Sequence, residues 1–78
     1  MSLMKQYADD TADFKLRAIE TAWITDDLER ALALSELFED CGNAASVYRS
    51  PAEVAALFVH TVVETFSAEW MSQRRATA

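Results

Sequence analysis

The chain is expected to be all-α: a single domain over residues 1–78, folded as a small bundle of three helices over roughly 2–24, 26–41 and 51–75. Three observations carry that expectation. Apolar residues recur at helical spacing in three separate segments. Fourteen alanines accompany only one glycine and one proline, and alanine is the best helix former while the other two are the worst. A complete helix-start signal also precedes the last apolar segment.

That signal is Ser50-Pro51-Ala52-Glu53. Ser50 fits the N-cap, Pro51 the first helical position where its missing N–H costs nothing, and Glu53 the position that reaches back to close a capping box. At about 100° per residue, Val54, Ala55, Phe58, Val59, Val62, Val63, Phe66 and Trp70 fill one half of the cylinder. Glu53, His60, Glu64 and Ser67 take the other half, with Leu57 and Met71 among them, and Glu69 intrudes on the apolar side. Arg74 and Arg75 suit the negative end of the helix dipole.

The middle helix is expected to start from Thr25 as N-cap, with Asp26 and Asp27 in the first turn, and to stop at Gly42. Leu28, Ala31, Leu32, Leu34, Phe38 and Cys41 share its predicted core face, and Leu37 falls outside the edge. Asp26, Glu29, Ala33, Glu36 and Asp40 line the opposite side.

The first segment presents a wide apolar arc that includes Leu3, Met4, Tyr7, Phe14, Leu16, Ala18, Ile19, Ala22 and Trp23, against a polar strip of Gln6, Asp9, Asp13, Arg17 and Glu20. Within "ADDTAD", Asp10 or Thr11 could cap a shorter helix, so a break is expected there if anywhere. Residues 43–49 read as a loop in which Val47 and Tyr48 can fold back over the core.

A core of this size supplies only about 3–5 kcal/mol net. All three arcs approach a half-cylinder, wider than the ~100° stripe that a bundle helix needs. The bundle is therefore expected to be completed by self-association, as a homodimer, or by a partner.

The net charge is −6, unevenly placed. Residues 9–40 carry a charge of −7 and the remainder +1. Direct nucleic-acid binding requires a positive surface that displaces counterions, so no direct nucleic-acid contact is expected. An anionic membrane surface is disfavoured for the same reason, and the longest mainly apolar run, Val54–Val63, falls far short of the ~20 residues of a membrane span. Residues 1–14 hold no apolar leader core, and Cys41 is the single cysteine, so a cytoplasmic, reducing setting is expected.

Little in the sequence speaks for chemistry. His60 and Glu64 form an i, i+4 pair, but a metal site needs three or four ligands, and a partly exposed histidine beside an exposed glutamate is the plainer reading. Cys41 lies at a predicted helix C-terminus, where the dipole disfavours a thiolate. One glycine leaves no phosphate-binding loop. No enzyme, cofactor or metal is expected.

The expectation is a non-enzymatic protein–protein interaction module, a small acidic inhibitor or adaptor docking on a basic partner protein. Mimicry of a nucleic-acid backbone against a DNA- or RNA-binding protein, in the style of phage inhibitors of bacterial defence enzymes, is one form of that role. The alternative is a structural or regulatory homodimeric subunit without charge-based docking. The candidate acidic residues are Asp9, Asp13, Glu20, Asp26, Glu29, Glu36 and Asp40, and the aromatic candidates are Trp23, Tyr48 and Trp70.

Overall fold

The computed structural model describes residues 2–77. Three helices follow one another: α1 (Leu3–Ala22), α2 (Asp27–Ala45) and α3 (Pro51–Thr77). They run up, down and up. Tyr7 and Phe58 meet at one end of the α1–α3 pair, and Ala22 meets Gln73 at the other. No helix among the described residues is long and apolar enough to cross a membrane.

Each start is set by local chemistry. The Ser2 side chain accepts the Lys5 N–H to open α1, and Val54 N–H donates to the Ser50 carbonyl to open α3. For α2 the cap is Asp26, one residue later than expected; its carboxylate accepts the Glu29 N–H at 2.8 Å. Thr25 and Asp26 are both capping residues, and the carboxylate at Asp26 is the one that reaches the open amide. "ADDTAD" does not interrupt α1, because Thr11 Oγ1 donates to the Tyr7 carbonyl one turn back at 2.7 Å and is satisfied inside the helix.

Two further differences from the sequence expectation share one cause. Helix α2 does not stop at Gly42 but continues to Ala45. Gly42 costs about 1 kcal/mol there relative to alanine, yet the added turn brings Ala45 under Cys41 and buries both completely. With that turn in place, Ala33, Leu34, Leu37, Cys41, Ala44 and Ala45 form a seam over the C-terminal two-thirds of the helix. Of the expected face, Leu34, Phe38 and Cys41 do pack in the core, whereas Leu28, Ala31 and Leu32 form an arc that ends after two turns, at Ser35 and Glu39, and stays exposed. The longer seam faces the core. Leu37, expected outside the edge, is 1% exposed, whereas Leu28 and Leu32, expected inside, are 69% and 62% exposed.

The core is centred on Phe58, fully buried on α3. Its ring lies 5.4 Å from Tyr7, stacked, 5.0 Å from Phe14, tilted, and 6.2 Å from Tyr48, edge-on. Of the two residues expected to fold back from the connection over the core, Tyr48 does so, its hydroxyl donating to Asp10 at 3.3 Å, whereas Val47 stays in water, 56% exposed. Ala18, Leu37, Cys41, Ala45 and Val62 complete the central cluster, and Ala22 is buried toward the other end of α1. Buried Thr21 donates to the Arg17 carbonyl, and no buried side-chain polar atom among the described residues lacks a partner. The face of α3 that carries Phe58 and Val62 is thus covered by both other helices and by Tyr48, while Leu57 and Val63 of the same apolar segment stay about half exposed.

Candidate partner-binding surface

The acidic residues of α1 and α2 lie on neighbouring flanks. Arg17 and Asp40 form an ion pair of 2.6 Å across the α1–α2 groove, and one turn along that groove Glu20 and Glu36 line its walls with Arg17, Ala33 and Leu37. Asp13 and Asp9 stand one and two turns before Arg17 on α1, and both are exposed. Glu29, also exposed, stands two turns before Glu36 on α2. Arg17 is the one basic side chain lining the groove. Two of the seven sequence-selected carboxylates already have work within the fold: Asp40 holds Arg17, and Asp26 caps α2.

Leu28 and Leu32, one turn apart and more than half exposed, sit beside this flank on the outer face of α2. The helical period places Glu29 and Glu36 along one border of the pair and Glu39 at its far end. An apolar centre with an acidic rim results. Sequence reading missed the two leucines as surface residues because it assigned them to the core. The available signal was an excess: α2 carries more large apolar side chains than one face of a helix can bury.

The chain matches no protein family, no curated protein and no solved structure.

The aromatic candidates are engaged differently. Trp23 is 60% exposed, and its indole N–H donates to Glu69 at 2.8 Å, tying the end of α1 to α3. Trp70 is half-buried, stacked on Phe66 with ring planes 8° apart and centroids 6.1 Å apart. The Arg30 guanidinium lies 4.2 Å from its centre and that of Arg74 lies 5.5 Å away. Arg30 also donates to the Ile24 carbonyl and to Asp27. Together these groups border an open cleft of about 610 Å³ where the α1–α2 turn meets the end of α3. Its main polar groups are bonded to one another, so the cluster fastens three chain segments.

His60 Nε2 lies 3.1 Å from Glu64 Oε1, both side chains about two-thirds exposed, and no group of three or more potential ligands among the described residues is placed to hold a metal ion. The Cys41 thiol is buried. Desolvation pushes its pKa up; the Arg17 charge opposes that rise and the Asp40 charge adds to it. A thiol so held is a packing group rather than a nucleophile.

Proposed function

We propose that the protein works by binding another protein, without catalysis of its own, as a small acidic inhibitor or adaptor. The binding surface is the outer face of α2 with the adjoining flank of α1. Leu28 and Leu32 supply the apolar centre, and Glu20, Glu29, Glu36 and Glu39 supply the rim. The partner carries a basic face.

The observation that carries this reading is the pair of exposed leucines set among unpaired carboxylates. Fully buried apolar contacts supply most of the energy of an interface, and rim charges steer the encounter and select the partner. A strip of carboxylates alone would be adequately explained by solubility. Two large side chains left in water beside it, on a helix whose core seam is already complete, call for a second explanation.

The test uses affinity capture from the native host with two baits, the natural chain and a Glu20→Lys/Glu29→Lys/Glu36→Lys variant. Asp40 is left in place because its reversal would set a lysine against Arg17. The expected result is a specific basic partner that the natural chain retains at low salt and the variant loses, with unchanged circular dichroism for both. Equal retention by the two folded baits would sink the charge-docking reading.

A further inference from the structure

We infer that the groove between α1 and α2 is a socket for one arginine side chain of the basic partner. This deepens the docking reading and rests on it, since Glu36 in the groove wall stands one turn after Leu32 on the same face of α2. The groove holds about 300 Å³ and is lined by Glu20 and Ile24 of the α1 side and by Ala33, Glu36 and Leu37 of α2, with Arg17 at one end. Leu37 is buried, Ile24 and Ala33 are half-buried, and the two glutamates are exposed. The apolar residues therefore lie deepest and the carboxylates stand at the mouth.

Charge selects the occupant. Arg17, Glu20 and Glu36 line the groove, and Asp40 is bound to Arg17 across it. Arg17 and Asp40 cancel in their 2.6 Å ion pair. Neither glutamate is bonded to a cation or a donor among the described residues, so the groove keeps a charge of −2. The next charged residues along its flanks, Asp13 on α1 and Glu29 on α2, are exposed and also negative. Lys15 falls about 160° round α1 from Arg17, and Arg30 is held against Trp70, so neither turns back to neutralise it. The complement of this groove is a cation.

Geometry selects arginine among cations. The two carboxylates belong to different helices, so one occupant must present donors in two directions. A guanidinium does so, because its five N–H groups point from the edges of one plane and a carboxylate can accept at each edge. An ammonium is a compact, strongly hydrated point charge and suits an apolar recess less well. The aliphatic stem of arginine can lie on Ile24, Ala33 and Leu37 while its head stays at the mouth. Arg17 displays the same chemistry at the end of the groove, bonded to Asp40 with its guanidinium 5.8 Å from the centre of the Phe14 ring. That pairing leaves Glu20 and Glu36 to the incoming residue.

An NMR titration with Nα-acetyl-arginine amide at low salt tests the socket directly. Saturable shifts are expected at the amides of Ile24, Ala33 and Leu37. The matching lysine amide should bind several-fold more weakly, and the citrulline amide, a neutral isostere, should leave those signals in place. A Glu20→Gln/Glu36→Gln chain, altered only at two exposed positions, should bind the arginine amide at least tenfold more weakly. Equal binding of the lysine or citrulline amide, equal binding by the glutamine chain, or no saturable shift up to tens of millimolar overturns the inference.

Affinity capture from the native host separates the socket from the wider docking reading. An Ala33→Leu bait fills the groove and leaves every carboxylate in place, and circular dichroism verifies its fold. The partner should be lost by this bait and by the Glu20→Lys/Glu29→Lys/Glu36→Lys bait alike. Retention by Ala33→Leu with loss by the lysine bait overturns the socket and keeps the docking reading. Retention by both folded baits overturns the two together.

Discussion

The guanidinium of Arg30 lies 4.2 Å from the centre of the Trp70 ring, joining the first turns of α2 to the last turns of α3, about 40 residues apart in the chain. The same guanidinium donates to the Ile24 carbonyl at 2.9 Å and so also holds the α1–α2 turn. Replacing Arg30 by Ala removes a cation–π contact and a charge-assisted hydrogen bond and is expected to cost about 2 kcal/mol. Arg30→Lys should recover less than half of that, since an ammonium cannot lie flat on the ring and reach the carbonyl as well. Urea unfolding followed by tryptophan fluorescence measures both.

The orientation of α2 makes an opposed pair of predictions. Leu37→Ala opens a cavity in the core and should cost about 2–5 kcal/mol, enough to unfold a domain of this size. Leu32→Ala, on the outer face, should change stability by no more than about 0.5 kcal/mol. Had the helix been turned as its sequence pattern suggests, the two results would be exchanged.

Gly42 lies inside α2 without a positive φ, and a Cβ built there meets nothing within 4 Å. Gly42→Ala should therefore stabilise the protein by about 0.5–1 kcal/mol, from restricting the unfolded chain and improving helix propensity. A higher midpoint in thermal or urea unfolding checks it.

The Cys41 thiol should react with a disulfide reagent at mildly alkaline pH some 10²–10⁴ times more slowly than in the unfolded chain, the factor set by an opening free energy of ~3–5 kcal/mol. The pH dependence has a definite sign. Cys41 and Tyr48 both have folded pKa values raised above their ordinary ones: Cys41 chiefly by burial, Tyr48 by desolvation and by the Asp10 carboxylate. Each favours its neutral form in the native state. Stability linked to these groups is intact below their ordinary pKa values and is lost as pH rises through the folded ones. Unfolding midpoints should accordingly fall in the alkaline range above pH ~9, and Tyr48→Phe should flatten part of that fall.

His60→Ala should leave the unfolding free energy within about 0.5 kcal/mol of the natural chain, because an exposed i, i+4 pair contributes little. A larger loss would mean that His60 and Glu64 do something the monomer does not reveal.

The helix count and the start of α3 at Pro51 were legible in the sequence, because each depends on residues close together in the chain, and the return of Tyr48 onto the core followed from the apolar character of its ring. The facing of α2 was not. Two arcs roughly 150° apart, at about 100° per residue, compete on that helix, and the choice between them depends on whether the last turn forms. The last turn depends in turn on burial of Ala45 against the other helices, which no local pattern encodes. The acidic flank could be read residue by residue, but the ion pair of Arg17 with Asp40 and the cap at Asp26, which withdraw two of its members, are products of the assembled fold.

Ala18, Ala22 and Ala45 are each fully buried, with no exposed surface. Methyl groups at these positions set how closely the backbones approach, and a larger side chain at any of them would have to push two helices apart. Descendants of this chain would then be free to vary their outer faces widely, changing charge and even partner, while drift at these three positions stays confined to alanine, glycine and serine. In a set of diverged sequences, the lineage would be recognised by where its small residues stand rather than by any motif of reactive ones.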